Sequence, residues 1–192
     1  MLVYGNWNSV IRNSAMAPVF CGTWTRGLSV DDVASRYGLD LSKKSTKRWS
    51  DILAGWALIG EFGDWVLALE CNSHVGREKG FIEAISRGGA EAINYWWNVN
   101  GLSKLQYAAN GQVITGFEVS DGGGSSWWGS NPDALDPYLE GLPFVKEGMK
   151  RVEGFHFRSY AFLLIERITG GCFDESWLSS PRDAYELHGF AE

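Results

Sequence analysis

The sequence predicts an α+β domain built on a largely antiparallel sheet of about six strands, with helices inserted between strands and packing helices towards the C-terminus. Three observations carry this expectation. Apolar and aromatic runs of strand length recur as far as Val119. They are separated by turn pairs such as Gly63-Asp64 and Asn110-Gly111, which join neighbouring strands as hairpins. The strict alternation of strand and helix that a doubly wound parallel sheet requires is missing.

Taken in order, Asn6 to Asn13 reads as a short helix and Pro18 to Thr25 as a strand rich in β-branched and aromatic residues. Ser29 caps a helix from Val30 to Tyr37, with Asp31 and Asp32 in its first turn and Gly38 at its end. The basic cluster Lys43, Lys44, Lys47 and Arg48 reads as a solvated linker, with an acidic partner as the sharper alternative, and it leads into a short helix from Lys47 to Ala54. Trp56 to Ile59 and Trp65 to Leu69 form a hairpin about Gly63-Asp64.

Phe81, Ile82 and Ile85 recur at helical spacing between Arg77 and Arg87, and Gly88-Gly89 stops that helix. Ala90 to Val99 is a strand. Leu102 to Ala108 and Gln112 to Val119 flank Asn110-Gly111, whose residues both tolerate positive φ. Asp121 to Ser126 reads as a flexible connector within a glycine-rich loop over 121–130. Asn131 and Pro132 then open a helix to Glu140, as cap and first residue. The main packing helix runs from His156 to Ile168 and closes at Gly170-Gly171; Asp174 to Leu178 is a last short turn. We expect one globular domain over 1–192, irregular at about 1–5 and 180–192.

Composition narrows function by exclusion. A net charge of −6 and a pI near 5.1 oppose binding to a nucleic-acid backbone, which needs clustered cations to displace counterions. No stretch approaches the roughly 20 apolar residues that cross a bilayer, and no apolar run marks a secretory leader, so the expected location is the cytoplasm. Cys21, Cys71 and Cys172 are odd in number and lack CxxC spacing, which fits free thiols in a reducing compartment. His74, His156 and His188 have no metal-binding spacing, and no nucleotide-binding glycine motif occurs, so neither cofactor nor metal is expected.

The segments Thr23-Trp24-Thr25-Arg26-Gly27-Leu28-Ser29, Trp65 to Glu70, Tyr95 to Asn100, Asn131 to Asp136 and Glu166-Arg167-Ile168-Thr169-Gly170 together resemble a bacterial family of domains of unknown function, common in actinobacteria. The resemblance runs from about Phe20 to Leu178. It implies a bacterial or bacteriophage origin and brings no catalytic residues with it.

Ten tryptophans in 192 residues imply either a very aromatic core or a surface built to stack on something. Asn94, Trp96, Asn98 and Asn100 share one strand face, opposite Ile93, Tyr95, Trp97 and Val99. The first set can contact a ligand or partner through an indole flanked by amides, or lie covered by another element. Trp127 and Trp128, after the glycine run, are the second contact candidates, either as an aromatic lid or as a loop that plugs one end of the sheet. Glu61, Glu70 and Glu118 lie on or beside strands and would supply acid–base or metal chemistry if they met, although outward-facing charges are the ordinary state of such a sheet. Cys71 and His74 are the one thiol and imidazole close in sequence, without a visible activating environment.

The expected function is therefore non-catalytic binding of another protein, as a small bacterial or phage regulatory, immunity or inhibitor module. The alternatives are a domain binding a nucleotide or sugar on the Asn94/Trp96/Asn98 face and a metal-assisted hydrolase using the glutamates. Oligomeric state is left open.

Overall fold

The computed structural model describes residues 19–73, 75–121, 127–144, 146 and 157–187. Among these residues eight strands pair, all antiparallel, in one sheet of order β2-β8-β3-β4-β1-β5-β6-β7. They are β1 (Phe20–Arg26), β2 (Ser45–Lys47), β3 (Trp56–Phe62), β4 (Trp65–Cys71), β5 (Glu91–Trp97), β6 (Ser103–Ala109), β7 (Gln112–Glu118) and β8 (Arg182–Glu186). Four α-helices accompany them among the described residues: α1 (Val30–Arg36), α2 (Phe81–Ile85), α3 (Phe157–Thr169) and α4 (Glu175–Ser179).

The α+β class and antiparallel pairing are as expected, but the sheet has eight strands and not about six. The added strands are β2, inside the basic linker, and β8, where an irregular tail is expected. Neither carries a recognisable apolar alternation. Long-range pairing creates both, with β8 lying between β3 and β2, Leu58 opposite Ala184, and Ser45 opposite Ala184 on the other side.

Three predicted helices also shrink. Lys47 to Ala54 holds only a 3-10 turn at Trp49–Asp51 after β2. Arg77 to Arg87 divides into a 3-10 turn at Val75–Arg77 and the short α2, because Gly80 between them has φ +83°. Asn131 to Glu140 is a chain of turns with one 3-10 turn at Asp136–Tyr138. The helix expected over Asn6 to Asn13 lies outside the described residues.

Local chemistry explains the elements that agree. Ser29 Oγ accepts the Asp32 N–H at 3.1 Å while Asp32 Oδ2 accepts the Ser29 N–H at 3.0 Å, a reciprocal cap that satisfies two otherwise unpaired donors at the start of α1. Asn110 and Gly111 have φ +52° and +81°, the double positive φ that a two-residue turn between β6 and β7 demands.

Both faces of the sheet are covered. On one, α3 lays Phe162 against Phe20, Trp24, Tyr95 and Trp97 at 5.3–6.5 Å between ring centroids, edge to face, and Phe173 stacks on Phe162. This face holds the larger core cluster. On the other, α1 and α2 cover Ile59, Val66, Ala68, Ala92 and Ala108, mostly small side chains that let short helices approach. The tryptophans therefore divide. Trp24, Trp65, Trp96, Trp97 and Trp177 are buried, whereas Trp49, Trp56, Trp127 and Trp128 are half-buried.

Candidate functional site

The face beneath α1 and α2 carries the polar residues. Strand parity brings Cys21 and Thr23 of β1, Glu70 of β4, and Asn94 and Trp96 of β5 to that side, since Cys21 is opposite both Glu70 and Trp96 and Thr23 is opposite Asn94. The Val75–Arg77 turn lies over them. Glu70 Oε2 accepts the Val75 N–H at 2.7 Å, and its Oε1 accepts the Gly76 N–H at 2.8 Å and the Cys21 thiol at 3.3 Å. Tyr37, just past α1, donates to Thr23 Oγ1 at 3.0 Å and lies 3.4 Å from Glu70 Oε1. Asn94 Nδ2 donates to Thr23 Oγ1 at 3.0 Å and to the Gly22 carbonyl at 3.3 Å.

Gly76 is required for this closure. A Cβ there would stand 2.7 Å from Asn94 Nδ2, 2.8 Å from Thr23 Oγ1 and 3.0 Å from Cys21 Sγ, closer than packed atoms allow. The Asn94/Trp96 part of the predicted contact face is accordingly covered. Asn94 is fully buried, with its Oδ1 unpaired, and Trp96 is 6% exposed.

Burial raises the pKa of Glu70 above the ordinary carboxylate range, against the opposing effect of the Gly76 N–H and its other donors. Burial, then the neighbouring Glu70 charge, pushes Cys21 well above the ordinary thiol value and Tyr37 well above the ordinary phenol value. A thiol held protonated and sealed from solvent is a poor nucleophile. This cluster fastens a turn to a sheet.

The remaining candidates lie where that covered face reaches the end of β5 and β6. Asn98 Oδ1 accepts the Asn100 and Leu102 N–H groups at 3.0 and 3.3 Å, so its side chain shapes the turn joining the two strands. Asn100 is exposed, as are Val99 at 71% and Leu102 at 51%. Lys104, directly across from Trp96, carries its ammonium 4.9 Å from the Trp128 ring centre and 6.0 Å from that of Trp96, and pairs with Glu118 at 3.1 Å. The exposed Arg77 stacks on Trp96 at 4.8 Å.

Trp127 stacks on Phe117 at 4.2 Å, and Trp128 lies on Gly116. The loop predicted over 121–130 is thus folded back on the sheet at its described end, while residues 122–126 lie outside the described part. The geometry adds Cys21, Thr23, Tyr37, Gly76, Arg77 and Lys104 to the residues singled out from sequence. Parity on β1 could have flagged Cys21 and Thr23. Nothing local marks Tyr37 or Gly76, which arrive from other elements.

The three glutamates do not converge. Glu61 and Glu70 are opposite Val66 and Ala57, four residues apart along the hairpin and so about 13 Å distant, while Glu118 is four strands from Glu70, about 19 Å away. Among the described residues, no group of three histidine, cysteine or carboxylate side chains is placed to hold a metal ion. Cys71 is half-buried, and His74, His156 and His188 lie outside the described residues. An open cleft of about 470 Å³ beside the β3–β4 turn is lined by Asp31, Glu61, Asp64, Trp65 and Asp183, with Lys44 bridging Asp183 at 3.1 Å and Asp31 at 3.5 Å. No helix among the described residues is long and apolar enough to cross a membrane.

Fold and site together define an α+β protein with a two-sided antiparallel sheet, a sealed polar cluster and an aromatic, partly cationic end. Residues 25–182, most of the chain, match a family described as a family of unknown function, DUF6461, and the chain belongs to that family. No curated protein and no solved structure matches it.

Proposed function

We propose that the chain is a non-catalytic protein-binding module whose contact surface is the end of the sheet formed by Val99, Asn100 and Leu102 with Lys104, Trp128 and Arg77 beside them. The supporting observation is the exposure of Val99 and Leu102, at 71% and 51%, next to a half-buried indole and two stacked cations on a chain of net charge −6. Tryptophan and arginine are enriched at interface centres, and exposed aliphatic side chains beside them add apolar area to bury. The partner that fits offers apolar side chains to Val99 and Leu102 and a carboxylate to Arg77. A small regulatory, immunity or inhibitor role in a bacterial or phage cytoplasm is the setting we assign to such a module.

The reactive alternatives have less support. Asn94 and Trp96 are covered, and the glutamates are dispersed, with Glu70 committed to the Val75–Arg77 turn. The test is affinity capture from the native cell with the wild-type chain and with a Val99→Asp/Leu102→Asp variant, which changes only exposed positions. A protein recovered at stoichiometric amount with the wild type and lost with the variant supports the proposal. Equal recovery with both, or recovery of the chain with a bound metabolite alone, contradicts it.

A further inference from the structure

Among the described residues strand β7 ends the sheet, and an end strand leaves every second backbone N–H and carbonyl facing outward for another strand to take. Here a short piece of the same chain takes them. The Gly116 N–H donates to the Trp128 carbonyl at 2.9 Å and the Trp128 N–H to the Gly116 carbonyl at 3.0 Å, an antiparallel bridge. The Ser130 N–H reaches the Val113 carbonyl at 3.2 Å and the Asn131 N–H the Ile114 carbonyl at 2.8 Å. Between them Gly129 adopts φ +117°, where a Cβ would stand 2.3 Å from the Ile114 carbonyl oxygen, so the segment cannot continue as a regular strand.

The side chain at the bridge has its own seat. Gly116 presents a bare backbone in the middle of β7, and the Trp128 indole lies where a Cβ would be, 2.7 Å from that position. Lys104 covers the ring at 4.9 Å. Any side chain at 116 would remove the seat, so backbone edge and glycine together form a strand-pairing site with an aromatic slot.

We propose that the β7 edge is a strand-addition site for a partner protein, which pairs an extended segment with Val113–Gly116 and seats an aromatic side chain on Gly116, displacing residues 127–131 of the chain itself. This rests on the protein-binding reading above and gives its partner a backbone form, the partner's aromatic side chain taking the place that Trp128 holds beside Lys104 in the free chain. The chain's own segment serves as an internal stand-in for that ligand. Its backbone is held by one regular bridge and two further bonds, with the Ser130 Oγ bond to the Val113 carbonyl and the Trp127–Phe117 stack beside them, against the six or seven paired residues that β7 and its inner neighbours make with one another, so it is the least regularly paired part of the edge.

The experiment uses the full chain and a labelled synthetic peptide of sequence Ser-Trp-Trp-Gly-Ser-Asn-Pro, matching residues 126–132. Trp128→Ala, which vacates the slot, is expected to bind the peptide about tenfold or more tightly than the wild type, whose slot is filled. Adding Gly116→Val to Trp128→Ala is expected to abolish that binding. A folded Trp128→Ala chain that ignores the peptide, or binding that survives Gly116→Val, overturns the inference.

If Trp128→Ala fails to fold, hydrogen exchange of the wild type decides. The Ser130 and Asn131 amides are expected to exchange about a hundredfold or more faster than those of Leu105 and Phe117, through local opening. Equal protection overturns the inference. A peptide that fails to bind while capture still depends on Val99 and Leu102 overturns the strand-addition site alone, and the converse overturns the Val99/Leu102 surface alone.

Discussion

At the scale of single residues, the most constrained side chain is Glu70. It accepts from the Cys21 thiol, the Val75 and Gly76 N–H groups and the Ser73 side chain, with the Tyr37 hydroxyl 3.4 Å away. Glutamine at this position would turn one acceptor into an NH₂ facing those donors. Glu70→Gln is therefore expected to destabilise the fold by about 1–3 kcal/mol through unsatisfied buried groups, measured by urea denaturation. The pH dependence has a definite sign. Burial raises the folded-state pKa of Glu70 above that of the unfolded chain, so the folded state holds more protons between the two values. Its contribution to stability is then full below the unfolded value and is lost as pH rises through the folded one. That declining component should be present in the wild type and missing from Glu70→Gln; an identical slope in both contradicts the assignment.

At the scale of elements, α3 is the main support of the aromatic core. Phe162 reaches four rings of β1 and β5 and stacks on Phe173, so truncation removes contacts from both sides at once. Phe162→Ala is expected to cost about 3–5 kcal/mol in chemical denaturation. A loss below about 1 kcal/mol would mean that the cluster repacks freely. This helix was legible in the sequence from its spaced apolar residues and closing glycines, as were α1 from its cap and the β6–β7 hairpin from Asn110-Gly111.

What stayed hidden had non-local causes. Strand β8 has only Ala184 and Tyr185 buried, and it forms because β3 offers an unfilled edge far away in sequence. The Asn131 to Glu140 stretch has a good cap and a well-placed proline, yet it forms successive turns after Ser130 and Asn131 bond β7, and no local signal separates the two outcomes. The candidate site was half legible: parity correctly separated Asn94 and Trp96 from Tyr95 and Trp97. That the Val75–Arg77 turn would close over the first pair depended on Gly76, whose role is visible only once Cys21, Thr23 and Asn94 are in place.

At the scale of the whole molecule, the two faces and both ends of the sheet are treated differently. Helices cover each face. One edge ends in the three-residue β2 beside Lys44 and Lys47, a short and charged border that discourages pairing. The other ends in β7 under its own residues 128–131, close to the exposed Val99 and Leu102 turn through Lys104 and Trp128. The acidic cleft lies beside the β3–β4 turn, across four strand pairings from β7, so the two regions are separable by experiment.

Hydrogen exchange of the chain with and without the captured partner decides whether this end of the sheet binds protein. Partner binding is expected to add protection over residues 98–104, to alter exchange over 112–118 and 127–131, and to leave 61–66 unchanged. Protection confined to the cleft at 61–66, or none anywhere on partner addition, would contradict it.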